Sequence, residues 1–243
     1  MGATFIMIDP ELEQLDTEIR LLADRVVDLG LYAEEMFKNA ISLLFTRDWS
    51  NVVSIFQSSP DVSPVTLVGE AIQLLARWAP TQERLRMVVA LQQAADEFGT
   101  ILTIIGHLAE KAHSIENTIE EYFQQIGPVG QQAFYQLIQS AHIQLRGCVV
   151  ALSTRQASMA SRVITQDGAL DQAYMQMQAA SRNAIMADPS LTMPLGLLSV
   201  IVADIEQMGN HITRICQRIE TISQGVPASV GFDSGDYVFR SAS

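Results

Sequence analysis

Cysteine and lysine are nearly missing from this chain. Cys148 and Cys216 are its only cysteines. They sit among apolar neighbours without metal-like spacing, which excludes a disulfide-stapled fold and leaves two buried free thiols as the expectation. Lys38 and Lys111 are the only lysines, so arginine carries most of the positive charge and favours forked contacts to carboxylates. Cations of both kinds number 15 against 27 acids, a formal charge of −12 that repels phosphate backbones and anionic headgroups. Nucleic acid is therefore not an expected partner. No run alternates apolar and polar residues with the two-residue period of a strand. Neither a Gly-x-Ser-x-Gly turn, a phosphate-cradling glycine loop nor a His-Glu-x-x-His helix occurs, which argues against a classical hydrolase. The opening stretch lacks a basic leader, and no segment reaches the roughly 18 uninterrupted apolar residues of a membrane span, so a cytoplasmic location is expected.

What is present is helical periodicity, with 48% hydrophobic residues to build a core. Leu12, Leu15, Ile19, Leu22, Val26, Leu29, Ala33, Met36, Ala40 and Leu43 recur in steps of three and four, which puts them on one helix face. Asp9 and Pro10 mark the start, as a cap and a first helical position. At about 1.5 Å per residue this helix is on the order of 50 Å long. A second seam runs from Met87 through Phe98 and Ile105 to Ile115 and Ile119, and a third from Leu198 through Ile205 and Ile212 to Ile222. Seams of this regularity predict near-parallel packing of long helices.

Between the first two seams, Pro60 and Pro64 break the helix, and "VTLVGEAIQLLARW" resumes it until Pro80. "QQIGPVGQQ" (124–132) is the clearest break and divides the chain into halves. Beyond it lie two more helices, then "ADPSLTMP" and the last long one. Each half reads long helix, interrupted helix, long helix. Residues 43–56 align with 151–164 at a shift of 108, and the final long helices superpose at 107, which points to internal duplication. The expected architecture is all-α: two tandem three-helix bundles, residues 9–126 and 127–223, with a loosely ordered tail at 224–243 in which Tyr237 and Phe239 are the only large aromatics besides Phe232.

Two runs resemble the PhoU family. In "AIQLLARWAPTQERLRMVVALQQAADEF" a helix ends in Leu75-Ala76-Arg77, Pro80 follows, and the next helix opens with Leu85-Arg86. "LLSVIVADIEQMGNHITRICQRI" is similar to the family's second-half signature at Glu206, Gly209, His211, Thr213 and Ile215. Asp167, Asp171 and Tyr174 match its second-half helix-start pattern. The resemblance covers about residues 10–223. It implies two three-helix bundles and a non-enzymatic cytoplasmic regulator of phosphate uptake, acting as an adaptor between the ATPase subunit of a phosphate ABC transporter and a sensor histidine kinase. Through those partners the protein would be peripheral to the membrane, and a homodimer is compatible with it.

Some proteins of this kind bind iron or zinc through a Glu or Asp followed four residues later by Asp, because residues i and i+4 share a helix face. Here Glu206 is retained, but Asn210 stands at the second acid and Arg214 at the next polar position. In the first half Gly99, Thr103 and His107 occupy the corresponding places, with Asp96 and Glu97 as the neighbouring acids. The metal candidates are therefore Glu206 and Asn210, and Asp96 and Glu97, and the expectation is that no cofactor is bound. The plain alternative makes Glu206, Asn210 and Arg214 a solvated polar network on the helix flank. His107, His113, His142 and His211 share no ligand spacing and read as hydrogen-bonded fillers. Two other functions stay open: a metal-binding helical protein, and a structural bundle that self-associates.

Overall fold

A computed structural model of the chain describes residues 10–46, 63–78, 80–115 and 119–223. Six α-helices account for nearly all of these: α1 (Pro10–Thr46), α2 (Pro64–Trp78), α3 (Gln82–Ser114), α4 (Ile119–Thr154), α5 (Ala157–Ala187) and α6 (Thr192–Ser223). A 3-10 turn, Pro189–Leu191, leads into α6. The Asp9 cap, the Pro60 break and the tail with Tyr237 and Phe239 lie outside the described residues, as does the greater part of the 43–56 stretch.

The seams become the core. Leu15 to Leu43 of the first, Met87 to Ile115 of the second and the whole third seam are buried; only Leu12 of these residues is exposed. The second seam does not continue as one helix to Ile119, however. Its helix ends at Ser114, Ile115 is extended (φ −72°, ψ 117°), and Ile119 opens α4 instead. Both isoleucines stay buried, so periodic burial survives a break in the backbone. The break expected at 124–132 is a kink inside α4: Gly127 takes φ 68°, a conformation glycine adopts without strain, and Pro128 restarts the helix. Arg155, in the left-handed region at φ 53°, ends α4 and turns the chain into α5.

α1, α2 and α3 pack on one another, as do α4, α5 and α6; the two groups meet through α1 against α4 and α3 against α6. Close approach in the first group requires Gly30, where a Cβ would lie 2.8 Å from the Phe98 ring and 2.9 Å from Val149. Gly209 does the same in the second, since a Cβ there would sit 2.1 Å from Leu170. Arg84 reaches back 68 positions to Asp16, with contacts of 2.7 and 2.8 Å, and Phe98 reaches back the same distance to Gly30. α1 and α3 are thus parallel neighbours in a constant register.

α3 and the stretch Pro189–Ile222 are long and apolar enough, by length and composition, to cross a bilayer. In this fold their apolar residues face other helices: Phe98, Ile101 and Ile105 of α3, and Ile201, Ile205 and Ile212 of α6, are wholly buried.

Candidate functional site

Two of the places where the helices bring polar side chains together hold the candidate residues: the junction of the two bundles, and the groove between α5 and α6. At the junction, Glu34 of α1 is buried and accepts from His142 Nε2 of α4 at 3.1 Å, while Lys38 pairs with it at 2.7 Å. Burial alone would raise the Glu34 carboxyl; hydrogen bonds and charge from Lys38 and His142 outweigh it, and the pKa lies below its ordinary value. The two partners are 108 positions apart, which is the shift of the duplication itself. Glu34 and His142 therefore stand at matching places in the two halves, and α1 meets α4 through them.

The two bundles also meet where α3 packs on α6. His211 Nδ1 of α6 is hydrogen-bonded to Glu97 Oε2 of α3, Arg214 Nη1 lies 3.8 Å from the same oxygen, and Lys111 of α3 pairs with Asp204 of α6. The Glu97 carboxylate thus crosses to the second bundle, where it meets His211 and Arg214. Asp96 is exposed on the other side of α3 and joins no group with it.

Asn210 donates to Glu206 Oε1 at 2.8 Å, as residues i and i+4 on one face should. The network expected to run on to Arg214 stops there. Arg214 turns instead to Glu97 and to within 3.4 Å of His211 Nδ1. The physical reason is reach: Arg214 stands eight positions, about 12 Å, along the helix from Glu206, whereas Glu97 of α3 lies beside it at the bundle junction.

The α5–α6 groove holds Asp167 and Asp171. Leu170 against Gly209, and Gln178 donating to the Ser199 carbonyl at 3.2 Å, fix an antiparallel register that sets Asp171 level with Glu206 to Gly209. Burial raises the Asp167 carboxyl above its ordinary value and repulsion from Asp171 adds to it; Thr213 and the buried Gln144 act in the other direction. These acids do not form a metal cage with Glu206. One Glu206 oxygen is taken by an amide, Asn210 brings no charge, and among the described residues no three of His, Cys, Asp and Glu converge as a cation would require. The donor set does not fit a tightly held iron or zinc ion.

Two features escaped the sequence reading. The carboxylate-histidine pairs across the junction were readable only in part, through the 108 spacing of Glu34 and His142. The thiols of Cys148 (α4) and Cys216 (α6), both free and wholly buried, face each other in the core of the second bundle. Nothing in their local sequence announces this; the signal is that they too stand 68 positions apart, like Asp16 and Arg84.

The fold and junction define a class: two three-helix bundles related by duplication and joined along antiparallel helix pairs. Residues 134–219 match the model of the PhoU domain. The chain is 22% identical over 225 residues to a phosphate-specific transport system accessory protein PhoU homolog of Synechocystis, covering 89% of this chain and 94% of the relative. To the phosphate-specific transport system accessory protein PhoU of Serratia marcescens it is 23% identical over 85% of this chain and 83% of that one. The crystal structure of the phosphate transport system regulatory protein PhoU from Streptococcus pneumoniae superposes with a TM-score of 0.72 at 19% identity, over 87% of this chain and 98% of that one. PhoU from Pseudomonas aeruginosa gives 0.62 at 14%, over 89% and 99%. The second half of the chain thus matches the PhoU domain, and the chain has the fold of the PhoU structures.

Proposed function

We propose that this protein is an accessory regulator of phosphate transport, acting in the cytoplasm as a non-enzymatic adaptor between the ATPase subunit of a phosphate ABC transporter and a sensor histidine kinase. The observation that carries the reading is similarity along almost the whole chain to phosphate-specific transport accessory proteins, spanning 94% of one relative. An adaptor works by presenting surfaces, so it needs a rigid body and no reacting centre. The junction charges Glu34, Glu97 and Asp204, each satisfied from the other bundle, support such rigidity.

The test is genetic and biochemical together. Deleting the gene should change phosphate uptake and the output of the kinase pathway, and the tagged protein should recover the transporter ATPase or the kinase from cells grown with ample phosphate. Unchanged uptake together with a pull-down that recovers neither partner rules the adaptor out. The reading also needs no resident metal: elemental analysis of anaerobically purified protein should return less than one iron or zinc per chain, and a stoichiometric metal would favour a metal-holding protein on the same fold.

A further inference from the structure

We propose that Cys148 and Cys216 are a modification site: a dithiol that a peroxide converts to an intramolecular disulfide tying α4 to α6. The pair is placed by the fold. Both residues are wholly buried, their side chains face each other, and no other cysteine exists to compete. In the duplicated first bundle the counterpart positions, at shifts of 108 and 107, hold Ala40 and Ala109, also buried. Small residues on both helices at this depth let the backbones come close, and a thiol exceeds an alanine by one atom. Close backbones are what a disulfide requires, with Cβ atoms about 3.5–4.5 Å apart. Packing alone is met by alanine in the first bundle, so the second bundle carries two sulfurs that packing does not explain.

The chemistry closes without a further reactant. One cysteine, as its thiolate, attacks a peroxide oxygen; the O–O bond breaks, and with one proton taken up the products are a sulfenic acid and water. The second thiolate then attacks that sulfur, the S–S bond forms, and the departing hydroxide leaves as water. Two thiols lose two electrons and hydrogen peroxide gains them. Closed, the bundle resists the first step. The hydrogen bond that the Cys148 thiol donates to Cys216, and then burial, hold that thiol well above its ordinary pKa, so little thiolate forms. Oxidation therefore waits on opening of α4 from α6, and its rate should level off as peroxide is increased.

The full chain, reduced and then treated with hydrogen peroxide under native conditions, should be quenched with a maleimide in denaturant and digested without reductant. Trypsin releases Gly147–Arg155 and Ile215–Arg218, neither of which contains methionine, so peroxide damage to the ten methionines does not confuse the result. The expected product is these two peptides joined, about 2 Da lighter than their sum, and separated by dithiothreitol. Cys148→Ala and Cys216→Ala should each abolish it, and alanine at both counterpart positions makes folding of these variants the expectation. The linked protein should melt about 5 °C or more above the reduced form. Complete maleimide labelling of both thiols after prolonged exposure, sulfinic acid on either peptide without a cross-link, or a cross-link that lowers the melting temperature would each overturn the proposal.

Discussion

The two bundles share a register and differ in what they put into it. Parallel neighbours α1 and α3 pack with a 68-residue offset, seen at Asp16–Arg84 and Gly30–Phe98, and α4 and α6 repeat that offset at Cys148–Cys216. Chemistry has diverged within this constant frame. Where the second bundle has Glu206 and Asn210, the first has Gly99 and Thr103; where it has two thiols, the first has two methyl groups. Backbone register is held by many apolar contacts at once and tolerates little change, whereas one polar side chain on a flank can be exchanged at small cost.

The strongest way to break the comparison is to empty the contact that sets the first bundle's register. Phe98→Ala removes a wholly buried ring packed on Gly30 and should cost about 3–5 kcal/mol in urea unfolding. A loss below about 1 kcal/mol would mean that Phe98 does not anchor the register. Gly209→Ala tests the matching approach in the second bundle. With Leu170 in the way, the added methyl should destabilise by about 1–3 kcal/mol, although alanine is the better helix former. Its control is Gly106→Ala in α3, where nothing lies within 4 Å of the new atom; that change should stabilise by up to about 1 kcal/mol. Equal effects at the two glycines would remove close approach as the reason for Gly209.

Smaller and opposite effects are expected from two carboxyls as pH changes. Glu34 has a lowered folded pKa, so its contribution is fully present above its ordinary value of 4.5 and is lost as pH falls through the folded value. Asp167 has a raised folded pKa: its ionisation costs stability at neutral pH, and that cost disappears as pH falls towards its ordinary 3.8. Thermal melts across pH 3 to 7 should show Glu34→Gln losing most at neutral pH, about 1–2 kcal/mol, and converging on the parent in acid. Asp167→Asn should gain a few tenths of a kcal/mol at neutral pH and converge from the other side. Curves that shift in the same direction would show that one of the two environments is misread.

The seams made the helices and their buried faces legible, because a three-four repeat can bury only one side of a rod; Leu15, Phe98 and Ile205 are where that repeat puts them. The repeat could not show where the second helix stops. Ile115 and Ile119 keep the spacing and stay buried on either side of a backbone break, since periodicity records burial and not hydrogen bonding. The acidic motif was legible as Glu206 followed by Asn210, four positions apart on one face.

By itself, then, the sequence determined the all-α class, the duplication and the absence of a carboxylate at Gly99, Thr103 and Asn210, because each follows from residues close together in the chain or from a repeated order. Tertiary structure alone decided that Arg214 leaves Glu206 for Glu97, that His142 caps Glu34, and that two cysteines 68 positions apart face one another. These contacts join helices distant in sequence, and their partners are chosen by which helices pack side by side and in what register.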